Sequence, residues 1–353
     1  MKVGLFTPYV ATMGGGERYM LTAAEFFLRR GDEVDIFGEG EASTSQIKDR
    51  FNLDLTGLKF VKNVFAQRGN YREKISRTRP YDLILFLSDG SIPLSFAAKN
   101  ILHFQMPIPA KGVNILDWLK LRRINTVICN SYFTKKYIDE SYHVQSRVIY
   151  PPVDVESFRP GVKENIILAV GRFFAPANPK KQEILIREFV DLYKNKLRGW
   201  RLVLIGGITA GSRKEIDRLR KKSTGFPIKI IADSAFPVLQ EYYSKAKIFW
   251  HAAGYGENLE KYPDKAEHFG IATVEAMAAG CVPLSFAGGG QLEIIEDGKS
   301  GFLWKTPEEL KEKTLNLIKD FDLWQQLSSG AVIRSGYFSK EKFFGELEKL
   351  LAL

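Results

Sequence analysis

The sequence is poor in the residues that build metal sites and disulfides. In 353 residues it has two cysteines and four histidines, and these form no cluster, so a zinc site is not expected. Cys129 and Cys281 lie far apart, each in an apolar stretch, which suits reduced core thiols better than a disulfide. No run of 18 or more apolar residues is present, so no membrane-spanning helix is expected. The opening Met1-Lys2-Val3-Gly4-Leu5-Phe6 is strand-like and has neither the charged nor the long apolar region of a secretory leader; a cytoplasmic location is the expectation. Low-complexity tracts and short-period repeats are also lacking, which sets aside solenoids and disordered linkers.

What is there is an ordinary globular composition with an unbalanced charge. Hydrophobic residues make up 45% and charged residues 26%, and the length exceeds what one core of roughly 250–300 residues holds, so two domains are expected. The formal charge is +10. Helix-turn-helix, RNP and finger patterns are missing, so no nucleic-acid partner is expected. The excess is densest from Lys48 to Arg79, with Lys59, Lys62, Arg68, Arg72, Lys74, Arg77 and Arg79, followed by Lys120, Arg122 and Arg123. Two readings stand side by side: a solvated basic face, or attraction to anionic lipid heads or a phosphorylated acceptor.

Strand-like apolar runs alternate with helical patterns along the whole chain, the grammar of an α/β protein with parallel sheets covered on both faces. In the first half, strands are predicted at Lys2–Thr7, Glu33–Phe37, Lys59–Val61, Leu83–Leu87, Asn100–Phe104, Thr126–Asn130 and Arg147–Tyr150, with helices at Glu17–Arg29 and Ser131–Ser141. The second half restarts with strands at Asn165–Val170, Arg201–Ile205, Ile228–Ile231, Ile248–Trp250, Val282–Phe286 and Phe302–Leu303, and helices at Gln182–Lys196 and Arg213–Lys222. Pro151, Pro152 and Pro160 interrupt both patterns and mark a linker. The predicted division is 1–155, 156–336, and a C-terminal amphipathic helix within 337–353 that packs back on the first domain.

The strongest motif runs from Glu267-His268-Phe269-Gly270-Ile271 through Glu275-Ala276-Met277-Ala278-Ala279-Gly280 into the strand Cys281–Phe286. A loop passes through Gly270 into a short helix whose first amides are unpaired and suited to a phosphate or a sugar hydroxyl. This Glu-x7-Glu loop, helix, glycine and strand resemble the retaining glycosyltransferases of family 4, especially the mannosyltransferases of lipid-linked oligosaccharide synthesis. Other matches follow in the family's order. They are Met13-Gly14-Gly15-Gly16-Glu17-Arg18 after the first strand, His103-Phe104-Gln105-Met106-Pro107, Cys129-Asn130-Ser131, the Tyr150-Pro151-Pro152-Val153-Asp154 linker, Gly171-Arg172-Phe173 with Pro179-Lys180-Lys181, and Gly288-Gly289-Gly290 leading to Gly298 and Gly301. The spacing at residues 14–19 is not the Gly-x-Gly-x-x-Gly of dehydrogenases, since Tyr19 stands at the third glycine.

The resemblance implies a GT-B fold, two doubly wound Rossmann-like domains facing across a cleft, with the acceptor mainly on the first and a nucleotide-sugar donor mainly on the second. It implies retaining transfer without a metal or other cofactor. It assigns Glu267 to the donor sugar, Glu275 to the ribose, and Arg172 and Lys180 to the leaving diphosphate, where fixed cations stabilise developing charge; Lys181 is adjacent and open to the same part. Gly14, Gly15, Phe269, Gly270 and Ile271 would line the donor, and His103 would hydrogen-bond the sugar or acceptor. A hexose, best read as mannose from GDP-mannose, would pass to a glycan or lipid-linked acceptor, with peripheral contact to an anionic membrane. A UDP-sugar-dependent transferase, a sugar-nucleotide epimerase of the same architecture and a non-catalytic binding module are the alternatives. The segment 252–266 is longer than the family pattern and flanks the sugar position.

Overall fold

The computed structural model describes residues 1–8, 14–38, 51–65, 70–109, 114–173, 179–208 and 211–352, which fall into two compact units. The first comprises Met1–Pro152 together with Lys340–Leu353, the second Val153–Ser339.

The first unit is built on a parallel sheet of β1 (Lys2–Phe6), β2 (Glu33–Phe37), β3 (Lys59–Val61), β4 (Leu83–Ser88), β5 (Lys99–Phe104), β6 (Thr126–Cys129) and β7 (Arg147–Val148), in the order β3-β2-β1-β4-β5-β6-β7. Every residue of β4 is buried, as expected for a central parallel strand covered on both faces. Its helices are α1 (Gly15–Arg29), α2 (Tyr71–Thr78), α3 (Ile115–Leu121) and α4 (Tyr132–Tyr142). Tyr19, Met20, Ala23 and Phe27 of α1 join Val3, Leu5, Val34 and Ile36 in one layer of core, while Phe86, Leu102, Phe104 and Ile138 fill the other.

In the second unit, β8 (Glu164–Val170), β9 (Arg201–Gly206), β10 (Ile228–Ala232), β11 (Ala246–His251), β12 (Val282–Phe286) and β13 (Phe302–Trp304) form a parallel sheet in the order β10-β9-β8-β11-β12-β13. Around it lie α5 (Gln182–Asn195), α6 (Ser212–Ser223), α7 (Phe236–Lys245), α8 (Ile271–Ala278), α9 (Gln291–Ile294), α10 (Pro307–Lys319) and α11 (Phe321–Ser335). Both sheets are doubly wound: the chain starts in the middle, runs to one edge, then returns to build the other. Val153 bridges to Ser339, so the two chain crossings between the units leave the second unit side by side.

The last helix, α12 (Lys340–Leu351), belongs to the first unit. Phe343, Leu347 and Leu350 enter the core layer of α1, and Phe343 meets Tyr19 edge-on at 4.8 Å between ring centroids. Lys340 Nζ pairs with the buried Glu25 at 3.2 Å.

The strands lie within two residues of the positions read from apolar runs. Helices α2, α3, α7, α10 and α11 were not legible in the same way. Only Thr78 of α2 is buried, and α3 buries no residue; α7 opens on a Phe-Pro step. Helices α10 and α11 are separated by Asp320 alone, whose carboxylate caps α11 by accepting from the Leu323 amide. Met13, Lys48 and Arg68 of the sequence patterns lie outside the described residues.

Replacing Phe343 by Ala should lower the unfolding free energy of the first unit by about 3–4 kcal/mol, read as an earlier urea transition for that unit while the second unit's transition is unchanged. An unaltered first transition would mean that α12 contributes nothing to that core.

Candidate active site

A doubly wound sheet leaves a crevice at the carboxyl ends of the two strands where its order reverses. In the second unit those strands are β8 and β11. The loop after β8 carries Arg172 and Lys180, β11 ends on His251, and the loop before α8 carries Glu267. Lys180 Nζ donates to Glu267 Oε2 at 2.7 Å, and the same oxygen lies 2.7 Å from His251 Nε2. Burial alone would raise the pKa of Glu267. The Lys180 charge and the His251 hydrogen bond outweigh it and hold the carboxyl well below the usual range. Glu267 is therefore ionised at neutral pH, held by a cation that comes from a different loop.

Lys181 takes another direction. It caps α5 with φ 55°, a left-handed conformation that costs a non-glycine residue roughly 1–2 kcal/mol. Its Nζ meets Glu257 Oε1 at 2.5 Å, and Lys265 Nζ meets Glu257 Oε2 at 2.9 Å. The segment 252–266 thus supplies a carboxylate that engages Lys181, while Lys180 turns to Glu267. Geometry thus gives the two neighbouring lysines different carboxylate partners.

Glu275, in the second turn of α8, is buried and accepts from the Tyr243 hydroxyl at 3.1 Å. Phe269 is also buried and meets Phe338 edge-on. Gly270 precedes Ile271, the first residue of α8, at φ 127°, and a Cβ there would stand 2.2 Å from Gln291 Nε2. Gly289 sits at φ 62°, where a Cβ would fall 2.1 Å from the Glu267 carbonyl oxygen; that oxygen accepts from the Gly290 amide at 2.7 Å. Gly289 and Gly290 are required by the backbone of 267–269 packing on them. Arg172 is exposed, and its carbonyl accepts from Gln182 Nε2 at 3.0 Å, which fixes the loop below it.

The first unit differs at its own reversal point, between β1 and β4. The Gly14 amide donates to Glu17 Oε2 at 2.7 Å and Glu17 is buried, so an internal carboxylate already engages the first amide of the glycine loop; Gly15 begins α1 on the surface. His103 lies near the end of β5. It is fully buried, its ring stacked flat on Tyr19 at 3.9 Å, and both ring nitrogens lack a hydrogen-bond partner. The Ile128 backbone lies near but outside hydrogen-bond geometry; burial dominates and pushes the pKa down to about 3. From this position the imidazole faces the Tyr19 ring.

Two participants escaped sequence reasoning. His251 had one available signal, a polar residue directly after the apolar run Ile248–Trp250 beside the reversal point. Glu257 had none, because its role depends on where residues 252–266 fold back. Among the described residues no group of three or more His, Cys, Asp or Glu could hold a metal ion.

The family described as glycosyl transferases group 1 matches residues 153–332, and the one described as glycosyltransferase family 4 matches residues 13–157. The chain belongs to the group 1 glycosyl transferases. Among its curated relatives, the D-inositol 3-phosphate glycosyltransferase of Mycobacterium ulcerans is 30% identical over 85% of this chain and 72% of its own length. A GDP-Man:Man(3)GlcNAc(2)-PP-Dol alpha-1,2-mannosyltransferase of Xenopus tropicalis is 30% identical over 51% of this chain and 38% of its own length. The chain spans between 38% and 50% of the mannosyltransferases of this kind that it matches. HepE of Anabaena, crystallised with UDP, superposes over 100% of both chains with a TM-score of 0.75 at 17% identity. That likeness shows the GT-B fold for this group 1 member.

Two outcomes follow from the geometry. Lys180→Ala leaves Glu267 charged without its cation and should destabilise the second unit by roughly 3 kcal/mol at neutral pH, whereas Lys181→Ala should cost less because Glu257 retains Lys265. Glu267 has a lowered folded pKa, so the difference is full above about pH 4 and shrinks as pH falls below it. Chemical denaturation of both variants at neutral and acid pH reads it; equal losses would show that the Lys180 pair is not special. His103 stays neutral when folded, so the unfolded state gains a proton first and wild-type stability should fall by about 2 kcal/mol between pH 6.5 and 5. His103→Phe should remove most of that slope in the first unit's urea transition, and an unchanged slope would place the titration elsewhere.

Proposed function

We propose that this chain is a retaining, metal-independent hexosyltransferase that moves mannose from GDP-mannose to a glycan or lipid-linked acceptor. The observation that carries this reading is the partly buried, ionised Glu267 held between Lys180 and His251 at the reversal point of the second sheet. A fixed carboxylate there can accept hydrogen bonds from donor-sugar hydroxyls and orient the ring. Lys180 has three N–H donors, so it can hold Glu267 and a phosphate oxygen together. Arg172, exposed on the same loop, supplies a second cation. Together they stabilise the charge that develops as the bond between the sugar's anomeric carbon and the diphosphate oxygen breaks.

In this reading the acceptor hydroxyl attacks the anomeric carbon from the face the diphosphate leaves. Its proton passes to the departing phosphate oxygen, so no side chain forms a covalent intermediate. Glu275, anchored by Tyr243, holds the ribose, which does not change during reaction. The acceptor belongs on the first unit, whose basic residues also favour peripheral contact with an anionic membrane at a cytoplasmic face. Mannose rests on the named activity of the mannosyltransferase relatives. A UDP-sugar is the second reading, favoured by the UDP found with HepE.

Thermal unfolding with GDP and with UDP separates the two donors, since a ligand at 100 times its dissociation constant stabilises by about 2.7 kcal/mol. A shift with GDP alone is expected; a shift with UDP alone transfers the reading to a UDP-sugar. Turnover should persist in EDTA, and loss restored by manganese would overturn the metal-independent assignment. Glu267→Gln should lower kcat by about 10²–10³, while Glu275→Gln should mainly raise KM for the donor. If neither replacement alters donor binding or turnover, the two carboxylates do not form a donor site.

A further inference from the structure

Helix α3 presents its apolar residues away from the protein. At about 100° per residue, Asp117 and Leu121 share one side, and Leu121 packs against the core layer containing Phe104 and Ile138. The opposite side holds Ile115, Leu116, Trp118 and Leu119, exposed by 75%, 65%, 52% and 50%. A surface helix of a globular protein normally shows the reverse arrangement, and an exposed apolar patch of this kind marks an interaction site.

The surroundings decide what covers it. The Arg122 guanidinium lies over the Trp118 ring at 5.0 Å, and Arg123 follows. Asp117, the acid of the helix, is engaged by Lys120 at 3.1 Å. Helix α2 adds Arg72, Lys74 and Arg77 with the exposed Tyr71 and Ile75, and its acid Glu73 pairs with Lys62 at 2.8 Å. Lys74 and Lys120 are close enough to repel: burial first, then the Lys120 charge, lowers the Lys74 pKa. An apolar ridge bearing a tryptophan, flanked by cations whose nearby acids are already paired, matches the boundary of an anionic bilayer. Apolar side chains enter the acyl region there, the indole sits at the head groups, and Lys and Arg meet lipid phosphates. Among the described residues no helix is long and apolar enough to cross a membrane.

We infer that α3, with the adjacent basic residues of α2, is the element by which this chain docks on an anionic lipid surface through Ile115, Leu116, Trp118 and Leu119. This deepens the peripheral-contact part of the proposed function and rests on it for its biological sense, though not on the donor chemistry of the second unit.

The test is co-sedimentation of the full chain with vesicles of phosphatidylcholine alone and of phosphatidylcholine with phosphatidylglycerol in equal parts. The wild type should partition onto the anionic vesicles and not the neutral ones, and the binding should weaken with added salt. The double variant Leu116→Gln, Leu119→Gln should reduce the partition coefficient by at least about tenfold, and Arg122→Gln by about fivefold. Both side chains of the double variant are exposed, so its melting temperature and its thermal shift with a nucleoside diphosphate should match the wild type. This separates failure of docking from failure of the donor reading. No partition onto anionic vesicles, or partition indifferent to the double substitution, overturns the proposal. So does a concentration-dependent dimer that the same substitutions dissolve, because the occupant of the ridge would then be a second copy of the chain.

Discussion

The second unit is organised around one charge. Glu267 is withdrawn from most of the solvent, and a carboxylate in that position persists only if a cation and hydrogen-bond donors replace the lost water. Lys180 and His251 do so, and this requirement fixes much else. The loop after β8 must reach the loop before α8. Gly289 and Gly290 must lie against the backbone of 267–269, and a side chain at either would collide with it. Lys181 must turn aside, and Glu257 receives it. At the far end of α8, Lys163 Nζ donates to the carbonyls of Ala246 and Ala279 at 2.9 and 2.6 Å, tying the start of β11 to the end of the helix that carries Glu275. Both carboxylates of the Glu-x7-Glu motif therefore sit on elements held at both ends.

The two units use the same winding for different ends. Each reverses strand order beside its first strand, and each carries glycines after that reversal. In the second unit a cation and an anion from separate loops meet there, a constellation that an incoming diphosphate and sugar can exploit. In the first, Glu17 already engages the Gly14 amide, and the buried His103 and Tyr19 stack beneath. The favourable field of the α1 start is answered from within the protein, so an anion arriving there must compete with Glu17. The two free thiols are likewise core groups: burial pushes Cys129 up to about 12 and Cys281 up to about 11, and neither is a thiolate at neutral pH.

The alternation of apolar runs with helical periodicity determined the α/β class, the division into two units and the strands, because period and composition are local properties that a parallel sheet covered on both faces imposes directly. The family resemblance carried by the Glu-x7-Glu context implied roles for Glu267 and Glu275, and the separate Gly171-Arg172 and Pro179-Lys180 match implied roles for Arg172 and Lys180. Other features depended on contacts between residues far apart in the chain. Only the tertiary structure could show that Lys180, 87 positions from Glu267, is its partner while Lys181 is not. Only there does His251 become part of the same cluster, and His103 become a buried ring beneath Tyr19. The outward apolar face of α3 is the clearest case: the apolar character of Ile115, Leu116, Trp118 and Leu119 does not say whether they are covered, and only their exposure beside the packed Leu121 shows which side of the helix the protein covers.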